Sequence, residues 1–337
     1  MLRTPLLVPS RTQLRTPLRI LLVKTSSLGD VVHNLPVVND IHAHFPGAHI
    51  DWVAETSFAA IARMHAGVSK VIPAAIRRWR RALLQPETRT ELREFLRQLR
   101  AHDYDAIVDT QGLLKSALVT CAARGMRYGL DWKSSREPLR LFYDRTFRVP
   151  WGQHAVLRNR SLAAQALDYA MPGHTSYGIT APQRSLAWLP SARSARYAVL
   201  LHATSADAKL WPELHWQELH KYMILNNIIS ILPWGNTAEH ARSERLAATM
   251  PNAIVPPALA LEDMAALLAR AQGVVGVDTG LTHLAAALDV PTVGIYCATD
   301  PAATGIHACP RALNLGGIGA PPAAQSVIAA LAQLGVA

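Results

Sequence analysis

The chain has 337 residues, half of them hydrophobic, which allows two ordinary domains with a sizeable core each and excludes a disordered or fibrous protein. Its net charge of +10 is unevenly spread: residues 1–160 carry 25 basic and 13 acidic side chains, and residues 161–337 carry 9 and 11. The first half is therefore expected to meet something anionic: nucleic acid, phospholipid headgroups or an acidic substrate.

Residues 1–17 scatter Arg3, Arg11 and Arg15 among Pro5, Pro9 and Pro17 with no continuous apolar run. They read as a flexible arm rather than a signal peptide. Residues 18–23 (Leu-Arg-Ile-Leu-Leu-Val) predict a buried parallel strand, followed by a loop over 24–30 and a helix over 31–44. Pro46-Gly47 breaks that helix, and 49–54 predicts a second strand, completing a βαβ unit. The alternation continues with a helix over 57–66, an extended segment 68–73, a helix over 87–101, a strand over 104–109 and a helix over 112–123. Residues 171–196 are rich in Pro, Gly, Ser and Thr without a period, so the boundary between halves falls there, dividing 18–180 from 181–337. The second series predicts strands at 197–203, 228–233, 273–277 and 291–296. Helices fall at 213–226, 237–249, 260–271 and 281–288. A last helix over 322–335 has an apolar face that suits either half. Strands alternating with helices imply an α/β fold of two doubly wound parallel sheets, with ligands at the carboxyl ends of the strands.

Cys121, Cys297 and Cys309 have no metal-type spacing, and their sparse count fits a reducing compartment. No structural metal is expected. No apolar run approaches the roughly 18 residues that cross a bilayer.

Four strand ends concentrate chemistry-bearing residues. The turn Ser26-Ser27-Leu28-Gly29-Asp30 joins a buried strand to a helix. Gly29 lets the backbone approach a ligand, and Asp30 sits where the helix dipole favours a carboxylate. On position alone, capping the helix is the plainer role for Asp30. The second is Asp278-Thr279-Gly280-Leu281-Thr282-His283, after the apolar strand Gly273–Val277. Backbone amides and hydroxyls at such a turn hold a pyrophosphate, Asp278 accepts from sugar hydroxyls, and His283 donates to a phosphate; a capped turn with a half-buried imidazole is the plainer alternative. Third, His202-Ala203-Thr204-Ser205 with Lys209 offers two hydroxyls and an ammonium to phosphate oxygens. Fourth, Pro233-Trp234-Gly235 with Glu239 offers a place for a base and ribose; taken alone, each of these last two is more plainly an ordinary strand-end loop. There is no GxGxxG and no Walker lysine.

The densest charge is Arg77-Arg78-Trp79-Arg80-Arg81, where guanidinium forks suit carboxylates and phosphates; a solvated loop is the alternative. The stripe Arg89, Arg93, Arg97 and Arg100 has helical spacing and reads as an exposed face opposite Leu92, Phe95, Leu96 and Leu99.

Taken in order, six strings resemble the family of ADP-heptose:lipopolysaccharide heptosyltransferases. They are Val23–Val31, Ile76–Arg81, Asp109–Leu113, Leu201–Thr204, Leu232–Gly235 and Val277–His283. The resemblance runs from about Leu18 past Asp300. It implies a GT-B glycosyltransferase fold and inverting transfer of L-glycero-D-manno-heptose from ADP-heptose to the 5-hydroxyl of the inner Kdo of Kdo2-lipid A, in lipopolysaccharide inner-core synthesis. It makes Asp30 the catalytic base and places Thr204, Ser205, Lys209, Glu239, Asp278, Thr279, Gly280 and His283 at donor positions, with Leu259 lining the adenine pocket. It assigns Arg77, Arg78, Arg80, Arg81 and Arg136, with Lys24, to the anionic acceptor. No cofactor or obligatory metal is implied. The chain is expected to be a monomer held at the cytoplasmic face of the inner membrane, with no transmembrane segment. Ser205 and the Lys209–Trp211 stretch are mild departures, and the N-terminal arm has no family counterpart. A heptosyltransferase adding a later heptose is the near alternative. A nucleic-acid-binding protein is the distant one; the chain lacks an RNP-type, helix-turn-helix or zinc signature, so no nucleic-acid partner is expected.

Overall fold

The computed structural model of the protein describes residues 17–189 and 196–336. The arm expected over 1–17 lies, but for Pro17, outside them. Strand β1 (Arg19–Val23) is buried on both faces, which is why it reads as an unbroken apolar run. Two helices follow it instead of one: α1 (Leu28–Val32) and α2 (Leu35–His44). Pro36 has no amide hydrogen to donate to Val32, so the helix expected over 31–44 breaks at His33–Asn34. The first half continues through β2 (His49–Glu55), α3 (Ala59–Arg63), β3 (Lys70–Ala74), α4 (Ile76–Trp79), α5 (Pro86–Leu99) and β4 (Asp103–Asp109). It then adds α6 (Leu114–Ala122), β5 (Arg124–Leu130), β6 (Arg145–Phe147) and α7 (Ala155–Leu167).

The six strands form one parallel sheet in the order β3-β2-β1-β4-β5-β6. Its direction of winding reverses between β1 and β4, the place where open α/β sheets bind ligands. Val23 lies level with Val53 and with Asp109, so the loops that leave β1, β2 and β4 start side by side. Strands β5 and β6 were not expected from the sequence. Their residues (Arg-Gly-Met-Arg-Tyr-Gly-Leu, Arg-Thr-Phe) lack a β-branched apolar run because β5 and β6 lie toward one end of the sheet and are partly exposed.

The second half runs β7 (Tyr197–Leu201), α8 (Glu213–Leu225), β8 (Ile229–Ile231), α9 (Thr237–Ala247), α10 (Leu261–Ala269), β9 (Gly273–Val277) and α11 (Gly280–Ala287). It ends with β10 (Thr292–Tyr296), α12 (Pro301–Thr304), β11 (Ala312–Gly316) and α13 (Ala324–Gln333). This sheet is parallel in the order β11-β10-β9-β7-β8, and one parallel bridge from Ile231 to Ile254 adds a residual sixth position. Counting that position, both halves share the 3-2-1-4-5-6 Rossmann order. Helix α13, which the sequence left free to join either half, packs on α8, β10 and β11 of the second.

One apolar cluster crosses from half to half, joining Leu22, Val31, Val32 and Leu35 to Leu201, Met264, Leu284 and Ala285. Helix α1 packs on α11 and α3 on α10. A buried ion pair braces the first half. The Arg160 guanidinium of α7 donates to both Asp40 carboxylate oxygens of α2 at 2.7 and 3.1 Å, and also to the carbonyls of Pro172 and His174 and the hydroxyl of Thr175. Removing one member of such a pair leaves an uncompensated buried charge. Asp40→Ala is therefore expected to lower the unfolding free energy by about 3–5 kcal/mol, read from urea titrations. A loss below about 1 kcal/mol would mean the guanidinium is held by the carbonyls alone.

Candidate active site

The two sheets point their carboxyl ends at one cleft of about 1090 Å³. From the first half, Lys24 follows the last residue of β1, and the turn behind it delivers Ser26–Asp30. The side-chain carbonyl of Gln111 accepts the amides of Thr25 and Ser26, both at 3.0 Å, and so ties this turn to the loop after β4. Asp30 does cap its helix: its Oδ2 accepts the Ser27 amide at 2.7 Å and the Ser27 hydroxyl at 2.9 Å. That leaves Oδ1 toward the cleft, 4.0 Å from the Lys24 ammonium, on a side chain that is 42% exposed. Capping and cleft exposure thus coexist in one carboxylate.

Lys24 itself is buried. It donates to the Thr110 carbonyl at 2.9 Å and to Asn159 Oδ1 at 3.3 Å, on the cleft floor rather than at its rim. Burial lowers its pKa, while Asp30 and Asp109 pull it back up.

From the second half, Asp278 follows the last residue of β9. Its carboxylate takes the Lys209 ammonium at 2.7 Å, the Thr299 hydroxyl at 2.8 Å and the His283 ring at 3.5 Å. Burial would raise its pKa, but these three partners hold it well below the usual carboxylate range. Thr204 donates to the Asp278 carbonyl at 3.1 Å, drawing the β7 loop onto the same turn. Thr279 and Gly280 open α11, whose first-turn amides and dipole face the cleft. Farther along, Glu239 accepts the Gly235 amide at 2.8 Å, Trp234 donates to Pro256, and Leu259 completes the wall with Ser205 at the mouth.

The halves meet where these turns touch. A Cβ on Gly280 would collide with Leu28 and lie 2.7 Å from the Gly29 amide nitrogen, so only glycine permits the approach. Beside this contact the His33 ring lies edge-on to His283 at 4.6 Å and to His154 at 5.5 Å. Burial, and then the neighbouring His283 and His154 rings, push the His33 pKa well below 6.5. Burial likewise lowers His154 to about 4 and His202 to about 3.

The arginine cluster divides. Arg77 lines the cleft, its guanidinium 5.7 Å from the Phe58 ring centre. Arg78 turns away, forking onto Glu91 at 2.9 and 2.7 Å, and Trp79 is buried against Phe95 with its ring N–H also on Glu91. Arg80 and Arg81 are exposed and do not line the cleft. Arg136 does, on the loop after β5. Helix α7 adds two residues that the sequence did not point to, Asn159 and Arg158. Arg158 donates to the carbonyls of Ser134, Val149 and Pro150 and lies 4.2 Å over the Trp151 ring, fixing the loop that carries Arg136. Among the described residues, no three His, Cys, Asp or Glu side chains gather as a metal-holding group.

The sequence pattern of glycosyltransferase family 9 (heptosyltransferase) matches residues 92–325. The chain belongs to this family. It is 47% identical to the lipopolysaccharide heptosyltransferase 1 of Escherichia coli K12 over 290 residues, 86% of this chain and 90% of that one. To the lipopolysaccharide heptosyltransferase 1 of Pseudomonas aeruginosa it is 48% identical, over 86% of this chain and 81% of that one. The structure of E. coli heptosyltransferase WaaC with ADP superposes with a TM-score of 0.85 and 42% identity, covering 94% of this chain and 100% of that one. The family-9 protein thus has the GT-B fold and is a glycosyltransferase, as the six strings implied.

The buried histidines make the stability of the fold pH-sensitive in a definite direction. In the unfolded chain each titrates near 6.5; in the folded glycosyltransferase His33, His154 and His202 stay neutral to much lower pH. The unfolded state therefore binds more protons below about pH 6.5, so stability is full above that value and falls as pH drops toward about 4. Urea midpoints at about pH 7.5, 6 and 5 are expected to fall, with up to about 1.4 kcal/mol lost per pH unit per histidine, and His33→Asn is expected to flatten the slope. A flat profile in the parent protein would contradict neutral burial.

Proposed function

We propose that this glycosyltransferase transfers L-glycero-D-manno-heptose, with inversion, from ADP-heptose to the 5-hydroxyl of the inner Kdo of Kdo2-lipid A, a step of lipopolysaccharide inner-core synthesis. The observation that carries the reading is the meeting of Asp30 with the Asp278–His283 turn across the Gly29–Gly280 contact. It is supported by relatives named lipopolysaccharide heptosyltransferase 1, and by WaaC structures that hold ADP or ADP-2-deoxy-2-fluoro heptose.

In this reading the α11 amides and Lys209 take the pyrophosphate, Asp278 with His283 takes sugar hydroxyls, and Trp234, Glu239 and Leu259 take adenosine. The acceptor enters beside Arg77 and Arg136, whose guanidiniums meet its carboxylates and phosphates. As the acceptor oxygen attacks the anomeric carbon, Asp30 Oδ1 takes its proton. The bond from that carbon to the phosphate oxygen breaks, and ADP leaves with the electron pair. The transition state is oxocarbenium-like, and the negative charge growing on ADP lies beside Lys209 and the α11 N-terminus. The reading calls on no metal or cofactor. It sets a monomer at the cytoplasmic face of the inner membrane, where the basic first half faces anionic lipid. No helix among the described residues is long and apolar enough to cross a membrane.

ADP release measured with Kdo2-lipid A against an already heptosylated acceptor tests the substrate assignment; preference for the latter would replace it. Asp30→Asn is expected to keep ADP-heptose affinity by calorimetry while turnover falls about 10²–10⁴-fold. Near-normal turnover would remove Asp30 from the proton transfer. Arg77→Ala and Arg136→Ala are each expected to raise the acceptor KM about tenfold or more with the donor KM unchanged. Arg78→Ala, whose fork is occupied by Glu91, is expected to have a much smaller effect, and equal effects from all three would point to bulk charge instead of direct contact.

A further inference from the structure

The outer flank of the first half, from the cleft lip outward, carries apolar side chains that nothing among the described residues covers. Leu114 and Leu118 stand one turn apart on α6 and both face solvent. The turn at residues 140–142 packs against this helix through Leu139, Phe142, Tyr143 and Ala117, and it raises Leu141, 95% exposed, on the same flank. Cys121 Sγ reaches the Phe142 carbonyl at 3.5 Å, which fixes the turn one helical step beyond Leu118. Toward the lip, the exposed indole of Trp132 lies 5.0 Å from the Lys133 ammonium, and the half-exposed Trp151 donates to the Lys133 carbonyl.

The same stretch is basic. Residues 114–148 hold eight Lys or Arg against three Asp or Glu. Two of the acids are already engaged: Asp144 is forked by Arg127 at 2.6 and 3.0 Å, and Glu137 accepts the Leu114 amide. Exposed leucines within a field of arginines, with tryptophans at the margin, match the chemistry of a bilayer's interfacial zone. The flank is also continuous with the cleft, because Leu113, Arg136 and Trp151 line its mouth. The exposed leucines of the second half lack that field: α8 shows Leu214 and Leu225 among Glu213, Glu218 and Lys221.

We propose that this flank, α6 with the 139–142 turn, is a docking surface for an anionic phospholipid bilayer, seating Leu118 and Leu141 among the headgroups and presenting the cleft mouth to a lipid-borne acceptor. The proposal deepens the membrane setting of the proposed function and rests on it only for the acceptor. Binding to plain lipid is a separate property of the surface.

The test uses the full chain and extruded vesicles without acceptor, made of phosphatidylcholine alone or with about one-third phosphatidylglycerol. The protein is expected to sediment with the anionic vesicles, to be released by salt, and to ignore the neutral ones. Leu118→Asp with Leu141→Asp is expected to cut partitioning at least about tenfold, and Arg140→Glu at least about fivefold. Leu225→Asp on the second half is expected to leave it unchanged. Turnover of a soluble, deacylated acceptor is expected to be normal in all these variants, while turnover of vesicle-embedded acceptor falls in step with partitioning. Arg140→Glu replaces an exposed side chain and so reads the surface even if the double variant misfolds. Undiminished partitioning in Arg140→Glu and in a folded double variant, or an equal loss in Leu225→Asp, would overturn the proposal. Loss of soluble turnover in the parent protein would instead strike at the proposed reaction.

Discussion

Everything in the cleft depends on two backbones touching where side chains would forbid it. Gly29 opens the helix that carries Asp30, and Gly280 opens the helix that follows Asp278. With no Cβ on Gly280, the first turns of α1 and α11 come within van der Waals reach, and the apolar residues behind them close into one cluster spanning both halves. The distance between the Asp30 carboxylate on one sheet and the Asp278 turn on the other is therefore set by main-chain contact, which is stiffer than any pair of side chains.

Around that contact, charge is arranged in two separate sets. On the first half, Lys24 is buried beneath Asp30 and shared with Thr110 and Asn159. On the second, Lys209, Thr299 and His283 converge on Asp278. Each carboxylate has its own cation, so neither is left as an isolated charge in a low-dielectric cleft. His33 and His154 stay neutral, which keeps like charge out of the seam.

The fold and the two central turns were legible because their signals are local. A buried apolar strand, a glycine and a cap-forming residue within seven positions define the Ser26–Asp30 turn, and Gly273–His283 repeats the same grammar. What escaped reading was made by contacts distant in sequence. The Arg77–Arg81 run looks like one anion site until Glu91, twelve to thirteen residues on, claims Arg78 and the Trp79 ring N–H. Asn159 meets Lys24 across 135 positions, and no local pattern announces it. The family resemblance assigns Lys24 to the acceptor by its place in a string, whereas burial sets it beneath Asp30. The break between α1 and α2 is readable in principle, since Pro36 stands two positions after Asn34, where the break ends.

The shared strand order of the two halves has a practical side. All strands in each sheet are parallel, so chemistry gathers at one edge and the opposite edge is left to short connections. Gly47, Asn227 and Asp289 turn the chain there in left-handed conformations, and nothing lies within 4 Å of where a Cβ on Gly47 would be. The exposed helix faces beside these turns are natural attachment points for fluorophores or surface tethers. A label on Ala43 of α2 and another on Lys221 of α8 would report the separation of the halves during turnover from sites the substrates never visit.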